Sequence, residues 1–123
     1  MNDPYFNEVL LCGRLAGEVS TRPAVIDSAA LEWRLTVDRP GGTPVVSETF
    51  PCVTHDPDLA IAATAWRPGA LIEIRGALRR TIWTSSDGSR LSRVYIETDE
   101  AELLDTPPLP ATDPPEALFR PPF

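Results

Sequence analysis

Leu31-Glu-Trp-Arg-Leu-Thr-Val-Asp38 alternates apolar and polar residues without a break, which puts Leu31, Trp33, Leu35 and Val37 on one side. Successive side chains leave a strand on opposite faces, so this segment predicts a half-buried strand. The same rule reads residues 7–15 as a strand with Val9, Leu11, Gly13 and Leu15 on one parity. A glycine inside that run predicts a bulge or a close backbone approach. Ser20-Thr-Arg-Pro23 predicts a turn or an irregular edge, and Arg39-Pro-Gly-Gly-Thr-Pro44 a loop. Val45 to Thr54 predicts a third strand, with Pro51 at an edge or a bulge because proline has no N–H for the ladder.

The period changes at Asp56-Pro57, where an acceptor side chain precedes a proline, the signature of a helix start. Leu59, Ala63 and Trp66 follow at helical spacing until Arg67-Pro-Gly69 stops the run, so a helix of about ten residues is expected. Alternation then returns. Ile72, Ile74, Gly76 and Leu78 occupy one parity, and Arg75, Arg79 and Trp83 the other. Asp87-Gly88 marks the tip, and residues 89–97 form the return strand. One face of this hairpin suits a core, while the other offers guanidinium groups and an indole. Three strands, a short helix and two more strands is the order of an OB-fold, a partly open five-stranded Greek-key barrel. The expectation is an all-β barrel over residues 1–104. A disordered tail is expected over 105–123, which holds seven of the fourteen prolines.

Charge modifies this picture. The chain has eleven arginines, no lysine and eighteen carboxylates, for a formal net charge of −7. Phosphate contacts supply most non-specific affinity for nucleic acid, so an acidic chain starts at a disadvantage. The charge is unevenly spread, however. From Arg75 to Ile96 five arginines face one carboxylate, Asp87, whereas residues 1–74 carry five arginines against ten carboxylates. The basic surface is one hairpin on an acidic body. Cations beside an aromatic platform are what unpaired nucleic acid requires, because phosphates meet the cations and base faces meet the ring.

Other chemistry is sparse. Cys12 and Cys52 are 40 positions apart and belong to no Cys-x-x-Cys pair, so both read as small core residues in a reducing compartment. His55 is the only histidine and reads as a residue of the loop before the helix. Neither a catalytic constellation nor a metal or cofactor site is expected. Met-Asn-Asp-Pro-Tyr-Phe lacks the parts of a secretory signal, and no apolar run approaches the ~20 residues that span a bilayer. A cytosolic protein is expected.

In this order the segments resemble the bacterial single-stranded DNA-binding protein family. The matching pieces are Asn7-x-Val-x-Leu-x-Gly-Arg-Leu15, Trp33-x-Leu-x-Val-Asp-Arg-Pro40, Phe50-x-Cys-Val53 and Leu59-Ala60 with Arg67-Pro-Gly69. They continue with Ile72-x-Ile-x-Gly-x-Leu-Arg-x-x-x-Trp83, Asp87-Gly88 and Val94-Tyr-Ile-Glu97. The resemblance implies an oligomer of OB-folds, a tetramer or in a primosomal accessory relative a dimer. Such assemblies bind and protect single-stranded DNA in replication, recombination or repair, at the bacterial nucleoid. It also implies that Trp83 is the stacking tryptophan of the fourth strand and Phe50 the aromatic of the third. A further family aromatic falls on Asp56, and the loop after Val37 lacks a tryptophan often found there. Arg75, Arg79, Arg80 and Arg93 are the candidate phosphate contacts, with Arg34 and Arg14 beside them; singly, each reads equally well as a solvated edge cation. Tyr95 adds a ring or belongs to an interface, and Phe50 reads equally as a buried edge aromatic. Trp33 and Trp66 read as core. The chain ends in Pro122-Phe123, the dipeptide with which the family recruits replication and repair proteins, but Arg120 stands where acid is expected. An OB module for protein interaction, with vestigial DNA binding, is the rival reading.

Overall fold

The computed structural model describes residues 3–20 and 31–107. Asp105, expected to open the tail, is instead the last residue of a strand, and the tail from residue 108, with Pro122 and Phe123, lies outside the described residues. The elements are strands β1 (Val9–Leu15), β2 (Leu31–Arg39) and β3 (Val46–Thr54), helix α1 (Pro57–Ala63), and strands β4 (Leu71–Thr84) and β5 (Arg90–Asp105). The strands close into one barrel in the order β1-β2-β3-β5-β4. All neighbours are antiparallel except β3 and β5, which meet in parallel at Cys52 with Ile96 and Val53 with Glu97. With the helix between the third and fourth strands, this is the OB-fold that the element order predicts.

Alternation fills the barrel. Leu15, Leu31, Trp33, Leu35, Cys52, Ile72, Ile74 and Ile96 enter one cluster, and α1 closes one end of it with Leu59 and Ala63. Trp66, just beyond the helix, meets Trp33 edge to face at 5.2 Å between ring centres, the geometry that ring quadrupoles favour. The helix is shorter than expected, seven residues, but starts where Asp56 predicts: its carboxylate accepts the Asp58 N–H at 3.0 Å. Thr54 anchors that start, with its buried hydroxyl donating to the Thr98 carbonyl at 3.0 Å and accepting the Asp56 N–H at 3.1 Å. Cys52 lies in the core, where burial pushes its thiol up to about 12. Cys12 does not share that place and is exposed on β1.

Two glycines permit the closure. A side chain at Gly13 would sit 2.6 Å from the Thr36 carbonyl oxygen, so β1 crosses β2 closely there. One at Gly76 would sit 1.9 Å from the Glu97 carbonyl oxygen. Here the ladder steps from Arg75 opposite Glu100 to Gly76 opposite Thr98, leaving Asp99 as the extra residue of a bulge. Pro51 stands inside the sheet, opposite Arg34 on β2, at the point where pairing with β5 has not yet begun. Its missing N–H is therefore not required by a ladder with β5.

Beyond the barrel, past the contact of β3 with Ile96, β4 and β5 continue as a two-stranded arm, pairing from Arg79 with Tyr95 out to Thr84 with Arg90. Strand β5 also runs eight residues past Glu97, returning to pair Asp105 with Leu71.

Candidate nucleic-acid interface

The register sorts the side chains of β4 and β5 onto two faces, since residues directly opposite in an antiparallel ladder share a face. The outward face carries Arg75 opposite Glu100, Arg79 opposite Tyr95, Thr81 opposite Arg93 and Trp83 opposite Leu91. The other continues the core parity, with Leu78 opposite Ile96, Arg80 opposite Val94 and Ile82 opposite Ser92. Trp83 is 43% exposed, and it stands with Arg93 on the outward face. Phe50 pairs with Leu35, takes the core parity and packs half-buried against the cluster. Counting from Cys52 beside Ile96, it comes level with Val94. Trp83 and Phe50 thus belong to opposite faces of the sheet. Phe50 shares its face with Arg80 and with the exposed Leu78, Ile82 and Val94.

The arginines divide by what they already touch. Arg79 is held by Glu97, with Nε 2.8 Å from Oε1, and the same carboxylate receives His55 Nδ1 at 2.9 Å on its other oxygen. Glu97 lies diagonally across the ladder from Arg79, two residues from Tyr95. The hydrogen bond from Arg79 is the main cause that holds the Glu97 carboxyl below its ordinary value, and it raises the guanidinium in turn. Arg75 faces Glu100 at 3.8 Å. Arg14 donates to the Gly69 carbonyl at 3.1 Å and lies 3.8 Å from Asp105. Arg34, Arg80 and Arg93 form no ion pair or hydrogen bond among the described residues. Arg34 and Arg93, from β2 and β5, line one surface hollow of about 330 Å³ together with Glu18, Ser20, Glu32 and Trp33. The free cations therefore sit on both faces of the arm, with Arg93 on the side of Trp83 and Arg80 on the side of Phe50.

Tyr95 offers no ring to a ligand, because it is 2% exposed, and the Thr81 hydroxyl lies 3.3 Å from its phenol oxygen. At the family's further aromatic position, Asp56 is an exposed helix cap. The sequence pattern reads Glu97 as part of the last strand and His55 as a loop residue, and does not bring them together. Their meeting depends on the ladder register and on the loop before α1, and neither is written in local periodicity. At the arm's tip the Ser85 hydroxyl and the Ser89 N–H bind the Asp87 carboxylate. Those bonds hold its pKa at about 2.

A closed five-stranded OB barrel with a two-faced basic and aromatic arm defines the class of oligonucleotide-binding folds. The model of the single-strand binding protein family matches residues 6–104, and the chain belongs to that family. The fold is similar to that of the Plasmodium falciparum SSB solved in complex with ssDNA, with a TM-score of 0.66 and 15% identity over 87% of this chain and 100% of that one. It is also similar to the mitochondrial single-stranded DNA binding protein Rim1 of S. cerevisiae, with a TM-score of 0.59 and 16% identity over 84% of this chain and 99% of that one. No curated protein sequence matches the chain.

Proposed function

We propose that this protein binds single-stranded DNA without reading its sequence and protects it during replication, recombination or repair. The observation that carries the reading is the arm of this family's barrel, where Trp83 stands exposed beside the unpaired Arg93. Bases stack on Trp83 and, across the edge of the arm, on the half-buried ring of Phe50. Arg93, Arg34 and Arg80 meet phosphates directly. Arg75, Arg79 and Arg14 do so only by exchanging a carboxylate or carbonyl for a phosphate oxygen. Each stacked base contributes ~1–3 kcal/mol, so two platforms on an acidic body make a weak, salt-sensitive binder.

The experiment is fluorescence anisotropy of labelled oligothymidine, a mixed-sequence strand and a duplex, each at low and raised salt. The two single strands are expected to bind with similar affinity at low salt, to weaken together as salt rises, and to exceed the duplex. Equal binding of duplex and single strand would contradict the reading.

Self-association accompanies this function. Strand β1 pairs with β4 along its length but meets β2 only at Arg14 and Leu15, which leaves residues 9–12 with an open edge and Leu10 57% exposed. The rival, a protein-interaction or primosomal accessory module, draws support from one observation. Arg14, Arg75 and Arg79 are already engaged. Sedimentation with and without DNA separates the two, a DNA-binding tetramer supporting the first reading and a dimer without DNA binding the second.

A further inference from the structure

Tyr5 and Phe6 are the most exposed large apolar side chains among the described residues, at 86% and 85%. They are not on a loose end. The next residue, Asn7, turns its carboxamide onto β4, with Nδ2 donating to the Leu78 carbonyl at 2.7 Å and Oδ1 accepting the Leu78 N–H at 2.8 Å. A carboxamide that answers both backbone groups of one residue replaces a β-bridge. It also keeps the ladder register, since Val9 pairs with Gly76 and Asn7 lies two steps earlier, at Leu78. Just upstream the chain is turned by the Tyr5 N–H on the Asp3 carbonyl at 2.9 Å and by the Tyr5 hydroxyl on the Asp3 carboxylate at 3.0 Å. The anchor point, Leu78, lies two residues from Arg80 along β4 and on the same face of that strand.

Two anchored rings with almost all their surface in water gain free energy from any partner that covers them. Two features select the occupant: the unpaired cation of Arg80, two residues beyond the anchor at Leu78, and continuity along β4 with Trp83. A ligand with flat apolar faces and regularly spaced negative charge suits both, and the bases and phosphates of an unpaired strand are that ligand. We propose that Tyr5 and Phe6 form an additional base-stacking platform at the root of the β4–β5 arm, held in position by Asn7. It supplies the stacking that a carboxylate at Asp56 cannot give. The inference rests on the single-stranded DNA reading above.

The test uses the full chain and oligothymidine carrying 5-iododeoxyuridine, irradiated at low salt and digested for mass spectrometry. An adduct on Tyr5 or Phe6 is expected, and adducts confined to other residues overturn the proposal. In parallel, Tyr5→Ala/Phe6→Ala is expected to weaken oligothymidine binding about tenfold with an unchanged melting temperature. Asn7→Ala, which keeps the rings but frees the segment, is expected to lose less. Unchanged affinity in the double variant, while Trp83→Ala weakens binding, overturns the platform and leaves the DNA reading intact. If the unaltered chain binds no single strand at low salt, that reading fails and this one with it. A sedimentation coefficient that shifts in the double variant without DNA assigns the rings to a second copy and also overturns the proposal.

Discussion

At Glu97 a guanidinium and an imidazole converge on one carboxylate, and the guanidinium, Arg79, belongs to the face expected to meet phosphate. Replacing Glu97 with glutamine leaves a hydrogen-bond acceptor but removes the charge that holds Arg79. The variant is expected to bind oligothymidine more tightly at low salt and to lose affinity more steeply as salt rises. One additional phosphate contact steepens the slope of log K against log salt by about 0.7 for a single strand. An unchanged slope would show that Arg79 stays out of reach even when released. The same carboxylate has an acid signature. Its folded value is lowered, chiefly by the Arg79 hydrogen bond. The stabilisation is therefore fully present above the ordinary glutamate range and is lost as pH falls through the folded value. Thermal melts from neutral to acid pH are expected to show this loss in the unaltered chain, and a smaller one in Glu97→Gln. The sequence could show that Arg79 faces outward, because parity does so. It could not show that Arg79 is occupied, because its partner lies 18 residues away and across the ladder.

Among the elements, the helix start was the most legible, because one side chain and one proline define it: Asp56 caps α1 and Pro57 follows. The same aspartate occupies the position where the family resemblance places an aromatic. Asp56→Phe exchanges a cap for a ring, and is expected to cost about 1 kcal/mol of stability while increasing single-strand affinity. A melting curve and an oligothymidine titration on one preparation read both effects, and a loss of affinity would place the helix start away from the bound strand. Strand β5 was legible only to Glu97. Its later half carries Asp99, Glu100 and Glu102, which break the alternation, and its pairing with β4 resumes only after the bulge at Asp99. That bulge brings Gly76 against the Glu97 backbone, so Gly76→Ala must displace one strand. Overpacking of this kind costs about 1–3 kcal/mol or more, and a lowered melting temperature in Gly76→Ala is the expected outcome. Phe50 shows the limit of alternation in the other direction. Next to Pro51 the pattern admitted either face, and the register with Leu35 places the ring on the core side.

For the whole molecule, the notable property is a formal charge of −7 on a family member whose proposed ligand is a polyanion. The barrel meets this by concentrating unpaired arginines on the arm and its flank. Among the described residues, Arg14 and Arg39 elsewhere on the barrel are held by neighbouring acids and Arg67 by the Pro107 carbonyl. Composition could reveal that concentration, but not which cations were free. The open edge of β1 is the second property of the whole, since exposed edges invite pairing with another chain. A charge placed there should oppose it: Leu10→Lys is expected to lower the sedimentation coefficient of the unliganded protein toward the 13.5 kDa monomer. A monomeric unaltered chain would remove self-association from the account. The central claim is that Trp83 stacks on the bases of a single strand, and tryptophan fluorescence during titration with oligothymidine at low salt tests it most directly. Trp33 and Trp66 are buried in the core, so the account predicts strong quenching that saturates with binding and disappears in Trp83→Phe. Quenching of equal depth in Trp83→Phe, or none in the unaltered chain, would contradict it.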